Sequence, residues 1–271
     1  MLVAVHHQRQ TVPMQQICDD LRAEHDDLDD VVAALTEPDW DRATAAPGWS
    51  IRDQVSHLWF FDQRAMMAMS DPEAFAADMR QLLASGGTEA SVEPGRRMTG
   101  VALLDAWRAD RARLLELAEG FDPSARVPWY GPAMGARSFI TARLMETWAH
   151  GQDVADALGV TREPTDRLRH VAHIGVRARP FSYAIRQMTM PDVDVHVALT
   201  SPSGETATWG APDAVDVVRG PMLDFCLVVT QRRHRADTAL EVTGAAADEW
   251  MSIAQAFAGD PGDGRRPGQF A

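Results

Sequence analysis

The 271-residue chain contains no lysine: apart from histidine, every basic residue is arginine. That absence excludes Schiff-base catalysis and a lysine-bearing phosphate loop, and GC-rich coding is its simplest cause. Cysteine is nearly absent too. Cys18 and Cys226 each sit among apolar residues in a helical pattern, and neither belongs to a Cys-x-x-Cys pair. A thiolate-rich zinc site is thereby ruled out, and both read as buried free thiols. No apolar run approaches the length of a membrane span. The start, Met1 to Gln10, lacks the charged region and long apolar stretch of a secretory signal. A cytoplasmic protein is expected, with residues 1–14 as a flexible tail. Positive charge is also short, at 26 Lys+Arg against 39 Asp+Glu, a formal net charge of −13. Broad nucleic-acid binding and attachment to an anionic membrane both require the opposite balance.

Hydrophobic residues make up 45% of the chain, enough for one large domain or two ordinary ones. Residues 15–165 read as helices joined by loops. Ile17, Leu21, Leu28, Val32 and Leu35 recur at helical spacing, and the pattern stops before Pro38. Ala45-Ala-Pro-Gly-Trp-Ser50 is a turn that delivers Ser50 as an N-cap with Asp53 three residues on, a capping-box pattern. It opens a second helix, Ile51 to about Met69. A polar stretch from Ser85 to Gly95 precedes a third helix, Met98 to Glu119. A loop rich in Pro and Gly leads to a fourth, Ser138 to Leu158, which Gly159 stops. Four helices so connected suggest a bundle. Residues 166–260 have a different texture: a helix from Arg167 to Arg177, an alternating strand Val193–Leu199, a turn at 201–204 into Glu205–Trp209, a helix from Asp213 to Gln231, a strand at 238–243 and a helix from Ala245 to Phe257. The expected fold class is α+β, an N-terminal helical bundle followed by an α+β domain with a small antiparallel sheet. Residues 261–271, rich in Gly and Pro, read as a second flexible tail.

Glu146 and His150 lie one helical turn apart, so they share a face. His57 sits in the second helix. Two histidines and a glutamate on packed helices would supply three ligands to a divalent metal and leave a fourth position open, as in catalytic zinc sites. Spacing alone leaves the bland reading open, because a Glu/His pair at this interval is common on exposed faces. The row Arg143, Glu146, His150 and Asp153, however, borders the apolar line Ile140, Leu144, Thr147, Gly151, Val154 and Leu158, where burying polar groups is costly unless they pair or bind a cation. His25 interrupts the apolar stripe of the first helix, as a further ligand, a base or a buried neutral histidine. Asp62 and Asp153 are placed to orient the two imidazoles by accepting their other N–H, or else to pair with arginine. His170 and His173 read as surface or packing residues. Ala65-Met-Met-Ala-Met69 reads equally as core or as a homodimer interface.

Pro47-Gly-Trp-Ser-Ile-Arg-Asp-Gln-Val-Ser-His-Leu58 with Asp62, together with Glu146-Thr-Trp-Ala-His-Gly-Gln-Asp153, resembles the mycothiol-dependent maleylpyruvate isomerase family. The resemblance implies a DinB-like, metal-binding four-helix bundle over residues 15–165 and a sterol-carrier-like α+β domain after it. It is nearest an uncharacterised actinobacterial branch described only as metal-binding. It places metal ligation on His57, Glu146 and His150. Thr230-Gln-Arg-Arg233 stands where the isomerases carry a Gly-Arg pair, which implies a catalytic role for Arg232 and departs from the pattern at Gln231. The expected function is zinc-dependent isomerisation or S-transfer on a small, carboxylate-bearing electrophile, with mycothiol or a similar thiol as cosubstrate. Two alternatives stay open. One is a zinc hydrolase with His25 as base. The other is a non-catalytic metal-binding protein that shelters a small apolar ligand.

Overall fold

The computed structural model describes residues 12–84 and 87–270. Most of the expected N-terminal tail lies outside them, and Met14 is already the first residue of a helix. In chain order, helix α1 spans Met14–Val32 and a single turn α2 spans Glu37–Trp40. Helix α3 spans Ile51–Ser70, α4 Pro72–Ala84, and a short α5 Glu93–Arg96. Helix α6, Gly100–Glu119, leads to a small ribbon of β1 (Arg126–Val127) and β2 (Met134–Gly135), and then to α7, Ala136–Leu158.

The long helices α1, α3, α6 and α7 pack against one another, α1 and α3 each touching both α6 and α7. Of the stripe read on the first helix, Ile17, Leu21, Leu28 and Val32 are all buried, and Val55 and Leu58 on α3 and Leu103 and Trp107 on α6 are buried with them. The capping box at the start of α3 is present, with the Ser50 amide donating to Asp53 Oδ2 at 2.9 Å. Gly48, at φ +77°, makes the preceding turn possible, a backbone state that side chains disfavour. Helix α4 was not anticipated. It buries only Phe75 and Leu82, so its apolar stripe is too thin to stand out by periodicity.

The second half begins with α8 (Leu168–Arg177) and α9 (Arg179–Ala184). Strands β3 (Val195–Thr200), β4 (Thr206–Trp209), β5 (Asp216–Pro221) and β6 (Glu241–Thr243) form one sheet in the order β4-β3-β5-β6. Helix α10 spans Met222–Val229 and α11 spans Ala245–Ile253. The α+β class holds, with two corrections. The expected helix from Asp213 to Gln231 is a strand followed by a helix: residues 216–221 take the central place in the sheet, and Pro221 ends the strand and caps α10. The sheet is not wholly antiparallel. The β3–β4 hairpin uses one edge of β3, so the returning chain joins the other edge in the same direction, and β3 and β5 pair in parallel. One contiguous core runs from Ile17 and Leu21 on α1 through Phe139 and Leu144 on α7 to Val197, Phe225 and Trp250. Cys18 and Cys226 are both buried and free. Met69 belongs to this core, and Met66 and Met67 pack against it.

Candidate metal centre

Helices α3 and α7 bring His57, Glu146 and His150 together, with one potential ligand atom from each lying within 4.8 Å of the others. Hydrogen bonding fixes which ring nitrogens face inward. Thr44 donates its hydroxyl proton to the Trp49 carbonyl at 2.9 Å, so its oxygen receives the Gln54 amide at 2.9 Å. That turns Gln54 Oε1, a pure acceptor, toward His150 Nδ1 at 2.5 Å. His57 is set the same way. Ser91 donates to the Thr88 carbonyl at 2.5 Å, so its Oγ accepts from His57 Nδ1 at 2.8 Å. Both imidazoles are therefore protonated on Nδ1, and their Nε2 lone pairs are left for the centre. His150 Nε2 lies 3.3 Å from Glu146 Oε2. Three acceptors thus converge with no donor among them, an arrangement that a cation satisfies and neutral packing does not.

The electrostatics suit the same purpose. Burial drives the His57 pKa well below its ordinary value, helped by nearby His150, Arg143 and Arg232. For Glu146 burial opposes ionisation, but the adjacent His150 imidazole and the charges of Arg143 and Arg232 outweigh it and keep the carboxyl below its usual range. A neutral imidazole and an ionised carboxylate are the protonation states that metal ligation needs.

The imidazole partners expected from the sequence are corrected. Asp62 is not on His57; it forms a buried ion pair with Arg143 at 2.8 Å and accepts from Trp107 Nε1 at 3.1 Å. Asp153 is not on His150; it holds Arg232 at 2.7 Å and Arg265 at 2.8 Å. The alternative left open for both positions, pairing with arginine, is the one realised. Ser91 and Gln54 orient the imidazoles instead. Gln54 was legible, one turn before His57 on the same helix, but Ser91 sits in a 3-10 turn, Gly87–Ser91, that carries no periodic signal.

His25 is fully buried on α1, edge-on to Trp107 at 5.7 Å, and neither ring nitrogen has a hydrogen-bond partner among the described residues. It belongs neither to the ligand cluster nor to the cavity beside it. His170 pairs with Asp20 at 2.7 Å, and His173 lies beside the Trp209 indole, both packing roles. Arg232 lies close enough for its charge to act on His57 and Glu146. Its backbone turns back because Gln231, in the glycine position of the family pattern, adopts a left-handed φ of 59°. Three of its N–H groups are committed, to Ala149 O, Thr230 O and Asp153. Arg233 instead grips Asp156 with two bonds of 2.7 and 2.8 Å.

A cavity of about 270 Å³ borders His57, Arg143 and Glu146. Phe61 and Phe139 line it from α3 and α7, Leu82 and Leu83 from α4, and Trp129 and Tyr130 from the ribbon loop. Ala258 and Gly259 close another side. They precede residues 261–271, the segment expected as a flexible tail, from which Arg265 reaches Asp153, the Gly268 amide reaches Asp237, and the Phe270 ring packs against the Arg233 guanidinium.

Residues 21–155 match the model of the mycothiol maleylpyruvate isomerase N-terminal domain. Two uncharacterised Mycobacterium tuberculosis proteins, MT0041 of strain CDC 1551 and Rv0036c of strain H37Rv, are each 45% identical over 248 residues, covering 91% of this chain and 96% of theirs. The crystal structure of the mycothiol-dependent maleylpyruvate isomerase superposes with a TM-score of 0.57 at 14% identity, over 85% of this chain and 93% of that one. A mutant of that enzyme gives 0.54 at 15% identity, over 82% and 90%. At these identities the solved structures speak for the fold. No helix among the described residues is long and apolar enough to cross a membrane. Domain match, full-length relatives and shared architecture together place the chain in the mycothiol-dependent maleylpyruvate isomerase family.

Proposed function

We propose that the protein is a divalent-metal enzyme, with zinc as the favoured ion, that uses mycothiol or a similar thiol to isomerise a small, carboxylate-bearing electrophile or to transfer the thiol sulfur to it. The observation that carries this is the set of three inward lone pairs on His57, His150 and Glu146 at the edge of a cavity. His57, Glu146 and His150 would hold the ion, and Ser91 and Gln54 would keep the two rings turned toward it. When bound, the ion supplies Lewis acidity that favours the thiolate at neutral pH. The cavity then sets the electrophile beside the thiol. Addition of the thiolate to an activated alkene, rotation about the former double bond and expulsion of the thiolate amount to isomerisation; retention of the sulfur amounts to transfer.

The catalytic role implied for Arg232, holding a substrate carboxylate or developing enolate, is limited by its bonding to the electrostatic part. With three N–H groups spent on Ala149, Thr230 and Asp153, it contributes a fixed positive field that favours developing negative charge at the site. Placement of His25 outside the cavity lining gives no support to the hydrolytic alternative that needed it as base.

Elemental analysis and turnover with mycothiol test the reading. Wild type is expected to carry stoichiometric metal that His57→Ala loses, and to bind mycothiol by titration calorimetry only when metal-loaded. Metal-free wild type, or a loaded protein that neither binds mycothiol nor consumes electrophile, would remove it.

A further inference from the structure

The cavity holds one fixed cation. Among the described residues Arg143 is the only arginine in its lining, and it stands one turn before Glu146 on α7. Its side chain is just 4% exposed, yet its guanidinium is only partly used. Nε and Nη2 donate to Asp62 Oδ1 at 3.1 and 2.8 Å, and Nη2 also reaches the Leu58 carbonyl at 3.5 Å. Asp62 is itself buried and takes the Trp107 indole N–H on its other oxygen at 3.1 Å. Residues of α3, α6 and α7 therefore hold the guanidinium in one orientation. Nη1 has no hydrogen-bond partner among the described residues, and it is not sealed off from the space that the residue lines. Two N–H groups of a held, largely desolvated cation are thus left for an anion entering the cavity.

We infer that Arg143 is the residue that receives the carboxylate of the substrate, through Nη1, and that this contact sets the specificity of the site for acids over neutral electrophiles. The inference rests on the reading above for what the electrophile does, while the carboxylate contact itself requires only the cavity. One helical turn, about 4.5 Å of rise, separates Arg143 from Glu146. A carboxylate held at Arg143 therefore leaves the adjoining carbons beside the centre. The charges are consistent with this. The three carboxylates Glu146, Asp62 and Asp153 are matched by Arg143, Arg232 and Arg265, so a bound divalent cation adds two uncompensated positive charges. An ionised thiol would cancel one and a substrate carboxylate the other. Arg232 does not compete for the contact, because it lies outside the lining and spends its donors on Ala149, Thr230 and Asp153.

The test separates binding from turnover. The unreactive keto acid levulinate and its methyl ester are titrated by ligand-observed NMR into full-length protein, zinc-loaded and metal-free, without thiol. Wild type is expected to bind the acid about 10- to 100-fold more tightly than the ester, the span of a charge-assisted hydrogen bond. Arg143→Gln should erase that preference at unchanged zinc content. Because this change strands the buried Asp62 charge, the double variant Asp62→Asn with Arg143→Gln, which removes both charges, is measured beside it and should behave the same way. No preference for the acid in wild type, or a preference that persists in both variants, would overturn the inference. Persistence that depends on zinc would assign the carboxylate to the metal instead. Mycothiol consumption is then measured with 4-oxopent-2-enoate. Acid preference lost in the variants as described, with no thiol consumed by wild type, would retire the thiol reading alone and leave the role of Arg143 standing.

Discussion

Each of the two histidines of the candidate centre is held by a residue that aims its ring. Ser91 and Gln54 accept the Nδ1 protons of His57 and His150, and each is itself oriented by a further bond, to Thr88 and Thr44. Removing such a support commonly lowers metal affinity about 10- to 100-fold. Ser91→Ala and Gln54→Leu are therefore expected to retain one metal per chain but release it to a competing chromophoric chelator at correspondingly lower chelator concentrations. His25 illustrates the opposite case. With both nitrogens buried and unpaired, it costs stability, and His25→Leu should raise the unfolding free energy by about 1 kcal/mol. Its pKa also carries a sign. Burial holds the folded value well below 6.5, so below that pH the unfolded chain takes up a proton that the folded chain refuses. Stability falls as pH falls through that window, by up to about 1.4 kcal/mol per unit. Denaturant midpoints measured from roughly pH 7.5 down to pH 5 should drop less steeply in His25→Leu than in wild type.

At the scale of elements, the centre depends on how one irregular segment is pinned to α3. Ser56 donates to the Ser91 carbonyl at 2.9 Å and receives the Gly95 amide at 3.0 Å. A Cβ at Gly95 would lie 2.4 Å from Ser56 Cβ, a contact that neither backbone can accommodate in place. Gly95→Ala must therefore push the segment off α3 and carry Ser91 away from His57. The expected result is a loss of about 1–3 kcal/mol in stability together with weaker metal binding, at unchanged helical circular dichroism. The thin helix α4 and the β1–β2 ribbon act in a similar way for the cavity: they contribute little to the core but supply Leu82, Leu83, Trp129 and Tyr130 to its walls.

Across the whole molecule, α7 is shared. It packs on α1 and α3 on one side and on α8 on the other, and its last turns carry Asp153 and Asp156. Asp153 gathers Arg232 from the loop after α10 and Arg265 from the C-terminal segment, so one buried carboxylate ties the second half and the chain end to the helix that bears Glu146 and His150. Glu24 does the equivalent on α1, pairing with Arg162 and Arg167. Breaking a buried pair strands the remaining charge, typically at about 3–5 kcal/mol. Asp153→Ala is expected to lose stability in that range by denaturant unfolding, more than Asp156→Ala, which strands the single Arg233.

The sequence by itself determined the long helices, because their buried faces repeat every three to four residues, and it singled out the three residues of the candidate metal centre, Glu146 and His150 by their shared face and His57 by the family motif that follows a recognisable turn. It also determined the family, through those same motifs. Only the tertiary structure decided the rest. Whether residues 216–221 were strand or helix depended on the sheet edge left open by β3 and β4, a fact about neighbours rather than about local pattern. Which nitrogen of each imidazole faces inward depended on Thr44, Ser91 and Thr88, residues brought in from separate loops. The reach of Asp62 and Asp153 to arginines rather than histidines was likewise fixed by packing, since a charged side chain takes the nearest desolvated counter-charge. The cavity beside the candidate centre exists only where segments distant in sequence, from His57 to Gly259, meet.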